Sequence, residues 1–315
     1  MSEFDLIQRY FTRATPGAIL GVGDDAALVH LGEGMELAVS TDMLVSGTHF
    51  FADADPFLLG HKALAVNLSD LAAMGAMPRW ATLALSLPSI DETWLEKFSR
   101  GIFSLAVQHG VELVGGDTTR GPLNLCITIM GEVPKGMALR RDGAKTDDDI
   151  WVSGILGEAA LALAHMQGKI VLSQTEFAAC AAHLHQPQPR VELGLALRGI
   201  ANSAIDISDG LLADLGHILE RSRVGADIDY TSIPRANPSI QADYILQRYT
   251  LAGGDDCELC FTAPVSYRTE IEKISATLVL PLTRIGKIKD EIGCTVRAID
   301  GSMMQIKEQG YDHFA

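Results

Sequence analysis

Gly21-Val22-Gly23-Asp24-Asp25-Ala26-Ala27 is the stretch on which the reading of this 315-residue chain turns. Two glycines permit a tight backbone path, and two adjacent carboxylates follow with small alanines behind them. Adjacent aspartates repel each other and neither favours a helix interior, so folding alone gives little reason for the pair. A solvated turn is the plainest reading of one such stretch. The pattern recurs, however, at Ser40-Thr41-Asp42, Asn67-Leu68-Ser69-Asp70, Gly115-Gly116-Asp117-Thr118-Thr119, Asp206-Ile207-Ser208-Asp209-Gly210 and Gly253-Gly254-Asp255-Asp256. Carboxylates flanked by hydroxyls and flexible backbone suit hard divalent cations and phosphates.

The length allows two domains of ordinary size. Hydrophobic residues make up 47% and charged residues 21%, a balance that supports a sizeable core. No apolar run reaches the roughly eighteen residues of a membrane span, and the start Met-Ser-Glu-Phe-Asp lacks a basic signal region. A cytoplasmic protein is expected. Lys plus Arg number 25 against 40 Asp plus Glu, a formal charge of −15. That field repels nucleic acid and anionic membrane, so neither is expected as a partner. A phosphorylated substrate is repelled as well unless cations intervene, which points toward magnesium. The five cysteines are irregularly spaced and read as reduced thiols. Cys257 and Cys260 have the CxxC spacing but lie in a strand-like run, where residues three apart face opposite sides, and no second pair completes a zinc site.

In chain order, residues 3 to 13 pattern as a helix. Glu36 to Ser40 reads as a strand ending at Thr41-Asp42, with a loop beyond. Asp55-Pro56 supplies an N-cap and a first-turn proline for a helix running to about Met74, stopped by Gly75. Asn67 and Asp70 share a face of its last turns, where a carboxylate opposes the helix dipole. Trp80 to Pro88 alternates as a strand, 91 to 109 is helical, Val111 to Val114 runs as a strand into Gly115-Gly116-Asp117, and Leu123 to Val133 is another strand. The expectation is an α/β (α+β) protein with polar loops at strand ends. A polar break from Arg140 to Asp149 divides an N-terminal domain, 1–140, from a C-terminal one, 146–315, with Asp147, Asp148 and Asp149 as a solvated turn. In the second half come a strand from Ile150, an Ala-rich helix between Gly154 and Gly168, and an exposed segment between Pro187 and Pro189. A helix from Arg190, a strand into Asp206 and Ser208-Asp209-Gly210, and a strong helix from Leu211 follow. The remainder reads as strands near Asp227 and Thr250, a strand to Thr262, and a helix from about 266 to 276.

If these acidic stretches converge, two like charges 4 Å apart cost about 4 kcal/mol at an effective dielectric near 20. Several such pairs exceed the stability of a whole domain, about 5–15 kcal/mol, so bound cations must neutralise them or the stretches do not meet. Oxygen-only ligands select magnesium over zinc. Gly115-Gly116 lets backbone approach a phosphate, Ser208-Asp209-Gly210 places N–H groups at a helix start, and Arg141 offers a charge-assisted contact. Neither a GxxxxGK[ST] stretch nor a kinase-type glycine loop is present.

These motifs, with Ser-Thr-Asp-Met-Leu-Val-Ser-Gly-Thr-His-Phe (40–50), Lys-Ala-Leu-Ala-Val-Asn-Leu-Ser-Asp-Leu-Ala-Ala-Met-Gly-Ala (62–76), Ala-Ile-Asp-Ile-Ser-Asp-Gly-Leu (204–211) and Gly-Tyr-Asp-His-Phe (310–314), resemble the thiamine-monophosphate kinase family of the PurM-like ATP-binding superfamily. The resemblance runs in unbroken order from near residue 3 to the end. It implies a two-domain PurM-like fold, an N-terminal sheet domain that pairs with its twin in a homodimer, and a C-terminal α/β domain. It further implies phosphorylation of thiamine monophosphate to thiamine diphosphate, with ATP as co-substrate and several Mg2+ ions. By matching position, Asp25, Ser40, Thr41, Asp42, Asp70, Asp117, Asp206 and Asp209 are the implied magnesium ligands. Gly116, Asp117, Arg141 and Ser208 are placed at the nucleotide, and His49, Asp255 and Tyr311 at the thiamine phosphate. The family's usual Gly-Gly-Glu-Asp-Tyr-Glu-Leu loop reads Gly-Gly-Asp255-Asp256-Cys257-Glu258-Leu259 here, so Asp255 is one methylene short and Cys257 replaces an aromatic ring.

The acceptor is then a phosphate oxygen with a second pKa near 6, mostly ionised at neutral pH, so no side chain is required as a general base. Direct in-line transfer without a phosphoenzyme is expected. Two rival readings are a superfamily synthetase that activates a carbonyl or selenide, and a non-catalytic metal-stabilised binding module. His183 and His185 read as a surface helix end without an acidic partner, and Met303-Met304 as core or strand filling.

Overall fold

The structure is a computed structural model and describes residues 2–236, 243–306, 310–311 and 313. Two compact units result, one of Met1–Leu71 with Ala76–Gly136, the other of Ala72–Gly75 with Met137–Ala315.

The first unit opens with α1 (Glu3–Leu6), capped by Ser2 in a reciprocal box with Asp5, and continues as a wider turn, Ile7–Phe11. A small ribbon, β1 (Ala18–Leu20) and β2 (Leu28–Val29), precedes the long β3 (Met35–Val45). Then come α2 (Pro56–Ala73), β4 (Met77–Leu87), α3 (Glu92–His109), β5 (Glu112–Arg120) and β6 (Asn124–Pro134). Asp55 Oδ1 caps α2 through the N–H groups of Phe57 and Leu58, and Asp91 caps α3 through Thr93 and Trp94. The sheet order is β3-β6-β4-β5, antiparallel except for the β4–β5 pair joined through α3. Leu68 and Leu71 of α2, Phe98 and Leu105 of α3, and Leu125, Ile127 and Ile129 of β6 are buried together in its core. The two helices come close enough that a Cβ on Gly60 would stand 2.2 Å from Phe98 O and one on Gly101 2.0 Å from Phe57 O.

The second unit contains β7 (Asp149–Ser153), α4 (Glu158–Met166), α5 (Gln174–His185), α6 (Val191–Ala196), β8 (Ser203–Ile207), α7 (Leu211–Ser222) and β9 (Gly225–Asp229). It continues with α8 (Asp243–Ala252), β10 (Glu258–Ala263), α9 (Arg268–Leu278), β11 (Leu282–Lys289) and β12 (Gly293–Arg297). Six strands lie in the order β12-β9-β11-β7-β10-β8, with only β12–β9 parallel. Ile150, Ile205, Ile207, Ile228 and Ile285 of the sheet pack with Leu211, Leu215 and Ile218 of α7.

Several local expectations are corrected. β3 and β5 do not stop before their acidic residues but carry Ser40-Thr41-Asp42 and Gly115-Gly116-Asp117 inside the ladder, because β6 and β4 pair with them throughout. Thr250 is helical, in α8, and β11 and β12 had not been anticipated. Gln188, between Pro187 and Pro189, is exposed as expected, while the two prolines themselves are buried. Met304 packs against the core, whereas Met303 is 73% exposed.

Asp148 and Asp149 are likewise buried, not a solvated turn. Asp148 accepts from Lys145 N–H and Asn202 Nδ2, while Asp149 is held by both nitrogens of an Arg268 fork and by Arg284. Burial alone pushes the Asp149 carboxyl up, but the two arginines outweigh it and hold the group below the usual carboxylate range. Glu258 is 2% exposed and takes a two-pronged contact from Arg190 as well as the Ser153 hydroxyl. Removing one partner strands a buried charge. Arg190→Ala is therefore expected to destabilise the protein by about 3–5 kcal/mol, measurable as a lowered urea midpoint with little change in slope.

Candidate functional site

Within the first unit, the opening glycine-aspartate stretch lines a cavity of about 840 Å³ together with the middle of β5. Asp24, Asp25, Gly115, Gly116, Asp117 and Thr118 all contribute to its wall. Asp24 Oδ1 accepts the N–H of Asp25 at 2.8 Å, which fixes the turn locally. Neither Asp25 nor Asp117 has an ion-pair partner among the described residues. Gly116 has φ +152°, and a Cβ placed on it would stand 1.9 Å from Leu83 O. Only glycine lets β5 run this close to β4 with that backbone.

A second group forms between β3 and α2. Ser40 Oγ donates to Asp70 Oδ2 at 2.5 Å. Asp42 follows two residues along β3 on the same pleat, its ladder partner Ile127 being buried. Thr41 has the opposite pleat, and its hydroxyl shares a 2.8 Å hydrogen bond with Thr128. Asp117 pairs in register with Ala84, and Asp42 lies level with Leu83 through Ile127, so these two carboxylates also occupy opposite pleats. Beside them, Asn67 is buried, donating Nδ2 to Ala63 O at 3.0 Å while its oxygen has no hydrogen-bond partner. Past the end of β3, the N–H of Val45 donates to His49 Nδ1 at 2.9 Å. That bond makes Nδ1 the acceptor, so the proton of the neutral imidazole sits on Nε2.

In the second unit, the turn Ser208-Asp209-Gly210 joins β8 to α7. Asp255 N–H donates to Ser208 O at 2.8 Å and Tyr311 N–H to Asp209 O at 3.1 Å, so four expected site residues meet at one turn. Burial raises the Asp209 carboxyl above its ordinary range. His313, His217 and Arg141 oppose that rise, and Asp255 adds to it. Asp206 lies on the preceding strand, 4% exposed, on the pleat opposite Ile205 and Ile207. Asp255 and Cys257 have φ +69° and +51°, a left-handed backbone costing about 1–3 kcal/mol per residue. Between them Asp256 is buried, and both its oxygens take the N–H of Gly157 at 3.0 Å. Burial drives its carboxyl well above the ordinary value.

Sequence reasoning missed Asp214, whose Oδ2 accepts the N–H groups of Ser208, Asp209 and Gly210 at 3.0, 3.1 and 3.1 Å. Those donors, expected to be available to a phosphate, are already occupied. Burial and the neighbouring Asp209 charge push Asp214 up to about 7, against the pull of the three N–H groups. An aspartate in the first turn after a glycine was the available signal. His217 and His313 were missed too, since their nearness to Asp209 depends on tertiary placement. His183 has the acidic partner thought to be missing: Nε2 lies 2.9 Å from Glu158 Oε2, short of good hydrogen-bond geometry. Glu158 nevertheless raises its pKa.

Residues 23–133 match the family described as AIR synthase related protein, N-terminal domain. The thiamine-monophosphate kinase of Escherichia coli (strain K12) is 47% identical over 322 aligned residues, spanning 99% of this chain and 98% of that one. The chain belongs to the thiamine-monophosphate kinase family. The crystal structure of the family's protein from Stenotrophomonas maltophilia K279a superposes with a TM-score of 0.85 at 48% identity, covering 96% of each chain. A structure described as AaThiL complexed with AMPPCP and TMP gives a TM-score of 0.78 at 28% identity, covering 99% of this chain and 96% of that one. The PurM-like, mixed α/β fold expected from the motifs is therefore the fold of this family member.

The chemistry of the donor set fits a magnesium-bound nucleotide. In the first unit Asp25, Asp42, Asp70 and Asp117 with Ser40 offer oxygen and no sulfur or ring nitrogen, and in the second unit Asp209 does the same. Among the described residues no three His, Cys, Asp or Glu side chains form a metal-holding cluster. Filling the cradle at β5 tests its role in the fold. Gly116→Ala is expected to cost about 2 kcal/mol or more through overpacking and backbone strain, read as a lower thermal midpoint.

Proposed function

We propose that the chain transfers the γ-phosphoryl group of ATP to thiamine monophosphate in a direct, in-line, magnesium-assisted step, giving thiamine diphosphate and ADP. The observation that carries this reading is 47% identity with a thiamine-monophosphate kinase over essentially the whole of both chains. Support for the two substrates comes from the family structure named with AMPPCP and TMP together.

In this reading Asp25, Ser40, Thr41, Asp42, Asp70, Asp117, Asp206 and Asp209 hold magnesium. When bound, the ions supply charge neutralisation for the phosphates, without which a chain of net charge −15 repels ATP. Gly116 lets backbone reach a phosphate, Arg141 adds a charge-assisted contact, and Ser208 contributes a hydroxyl at the nucleotide. His49, its Nδ1 held by the N–H of Val45, lies at the thiamine phosphate. Asp255 suits the cationic ring of thiamine, and Tyr311, whose N–H bonds to the carbonyl of Asp209, lies with it at the thiamine phosphate. The acceptor oxygen is already ionised, so positioning and charge compensation suffice and no residue needs to take a proton.

A homodimer belongs to the same proposal. β3 is an edge strand whose outward pleat exposes Leu37, Val39 and Met43 by 41%, 57% and 54%, a stripe that a second sheet would cover. The reaction is placed in the cytoplasm, where its nucleotide is supplied and the five thiols stay reduced. Among the described residues no helix is long and apolar enough to cross a membrane.

Steady-state turnover with Mg-ATP and thiamine monophosphate tests the reading against a synthetase and against a binding module. ADP formation should depend on thiamine monophosphate as acceptor. Asp42→Asn and Asp209→Asn should each lower kcat by at least about tenfold, as the loss of a contact made in the transition state requires. Turnover with another acceptor only, or none at all, overturns the proposal. Stable label on the protein after incubation with γ-labelled ATP alone overturns direct transfer.

A further inference from the structure

We propose that Asp214 is a positioning residue that clamps the Ser208–Gly210 turn so that the turn presents the side chains of Ser208 and Asp209 and none of its backbone. The proposal rests on the reading above, in which Asp209 serves a metal-bound nucleotide.

Asp214 Oδ2 takes the N–H groups of Ser208, Asp209 and Gly210. The carbonyl of Ser208 accepts from Asp255 N–H, that of Asp209 from Tyr311 N–H, and that of Gly210 from Asp214 N–H at 3.0 Å. All six backbone polar groups therefore have a protein partner. A helix start of this kind, with free N–H groups, is a common phosphate cradle. Here a carboxylate of the chain itself fills the cradle, and a phosphate oxygen would have to displace it. What is left to face a ligand is the Ser208 hydroxyl and the Asp209 carboxylate, a cation-facing pair.

Ordinary helix capping does not account for the arrangement. The three donors precede Leu211, the first residue of α7, and the acceptor reaches back from its fourth residue. Asp214 is 3% exposed, and its position is set by Leu211, Leu215 and Ile218, which are buried on either side of it. The turn is also pinned from outside: a Cβ on Gly254 would lie 2.4 Å from Ser208 O, so its position has little freedom. An outer residue of this type acts on a metal through the ligand it orients.

The test uses the full-length protein and two readouts. Mg2+ dependence of turnover and Mg2+-dependent ADP binding by calorimetry are measured for Asp214→Ala, Asp214→Glu and Asp214→Asn. Asp214→Ala and Asp214→Glu, which delete or displace the acceptor, should raise the half-saturating Mg2+ concentration and weaken Mg-ADP binding by about tenfold, with KM for thiamine monophosphate nearly unchanged. Asp214→Asn keeps an oxygen able to accept the same N–H groups and should restore both values to within about twofold of the parent chain. If Asp214→Ala does not fold, Asp214→Glu carries the test. Lower thermal midpoints with unaltered Mg2+ half-saturation and Mg-ADP affinity would make Asp214 merely structural and overturn the proposal. A parent chain that binds Mg-ADP but phosphorylates no thiamine monophosphate would overturn the functional reading instead, and the calorimetric comparison would still decide the role of Asp214.

Discussion

Mutual repulsion among carboxylates is the constraint that the rest of this structure answers. An acidic chain of net charge −15 can keep buried acids only by compensating each one locally. Asp149 is compensated by two arginines, Glu258 by Arg190 and a serine hydroxyl, and Asp214 by three backbone N–H groups. Asp256 shows another solution, since burial favours its neutral form. Asp25 and Asp117, by contrast, are exposed and have no cationic partner among the described residues.

Much of the fold could be read directly. Asp55 and Asp91 announce the starts of α2 and α3 by short-range capping chemistry, and Gly75 and Gly110, at φ +60° and +65°, end them. Such signals work because cause and effect lie within four residues. Reading failed where the deciding partner is distant in sequence. Asp149 is paired with Arg268, 119 residues away, and nothing in Asp147-Asp148-Asp149 hints at it. Ser40-Thr41-Asp42 and Gly115-Gly116-Asp117 have turn-like composition, yet ladder pairing on β6 and β4 keeps them extended. β11 escaped notice because a bulge between Arg284 and Gly286 breaks its alternation.

The site divides in the same way. Its acidic motifs could be picked out by glycine, hydroxyl and carboxylate lying side by side, and the roles of their residues came from the family resemblance. Their grouping could not be read this way. Register places Thr41 away from Ser40 and Asp42, and the C-terminal Tyr311 reaches Asp209 only through the folded chain. The departure at Asp255 and Cys257 gains meaning from the backbone, because both positions are left-handed without being glycine. That loop holds strain whatever its side chains do, and its hydrogen bonds to Ser208 and Ile207 keep it in place.

The fully partnered backbone of residues 208–210 also bears on how this turn can vary. Proline is excluded at all three positions, because each nitrogen gives its hydrogen to Asp214. Side chains at 208 and 209 bear none of those bonds, so they can be exchanged with little penalty to the architecture beneath. A turn built this way lets sequence drift explore new ligand chemistry while the scaffold stays still.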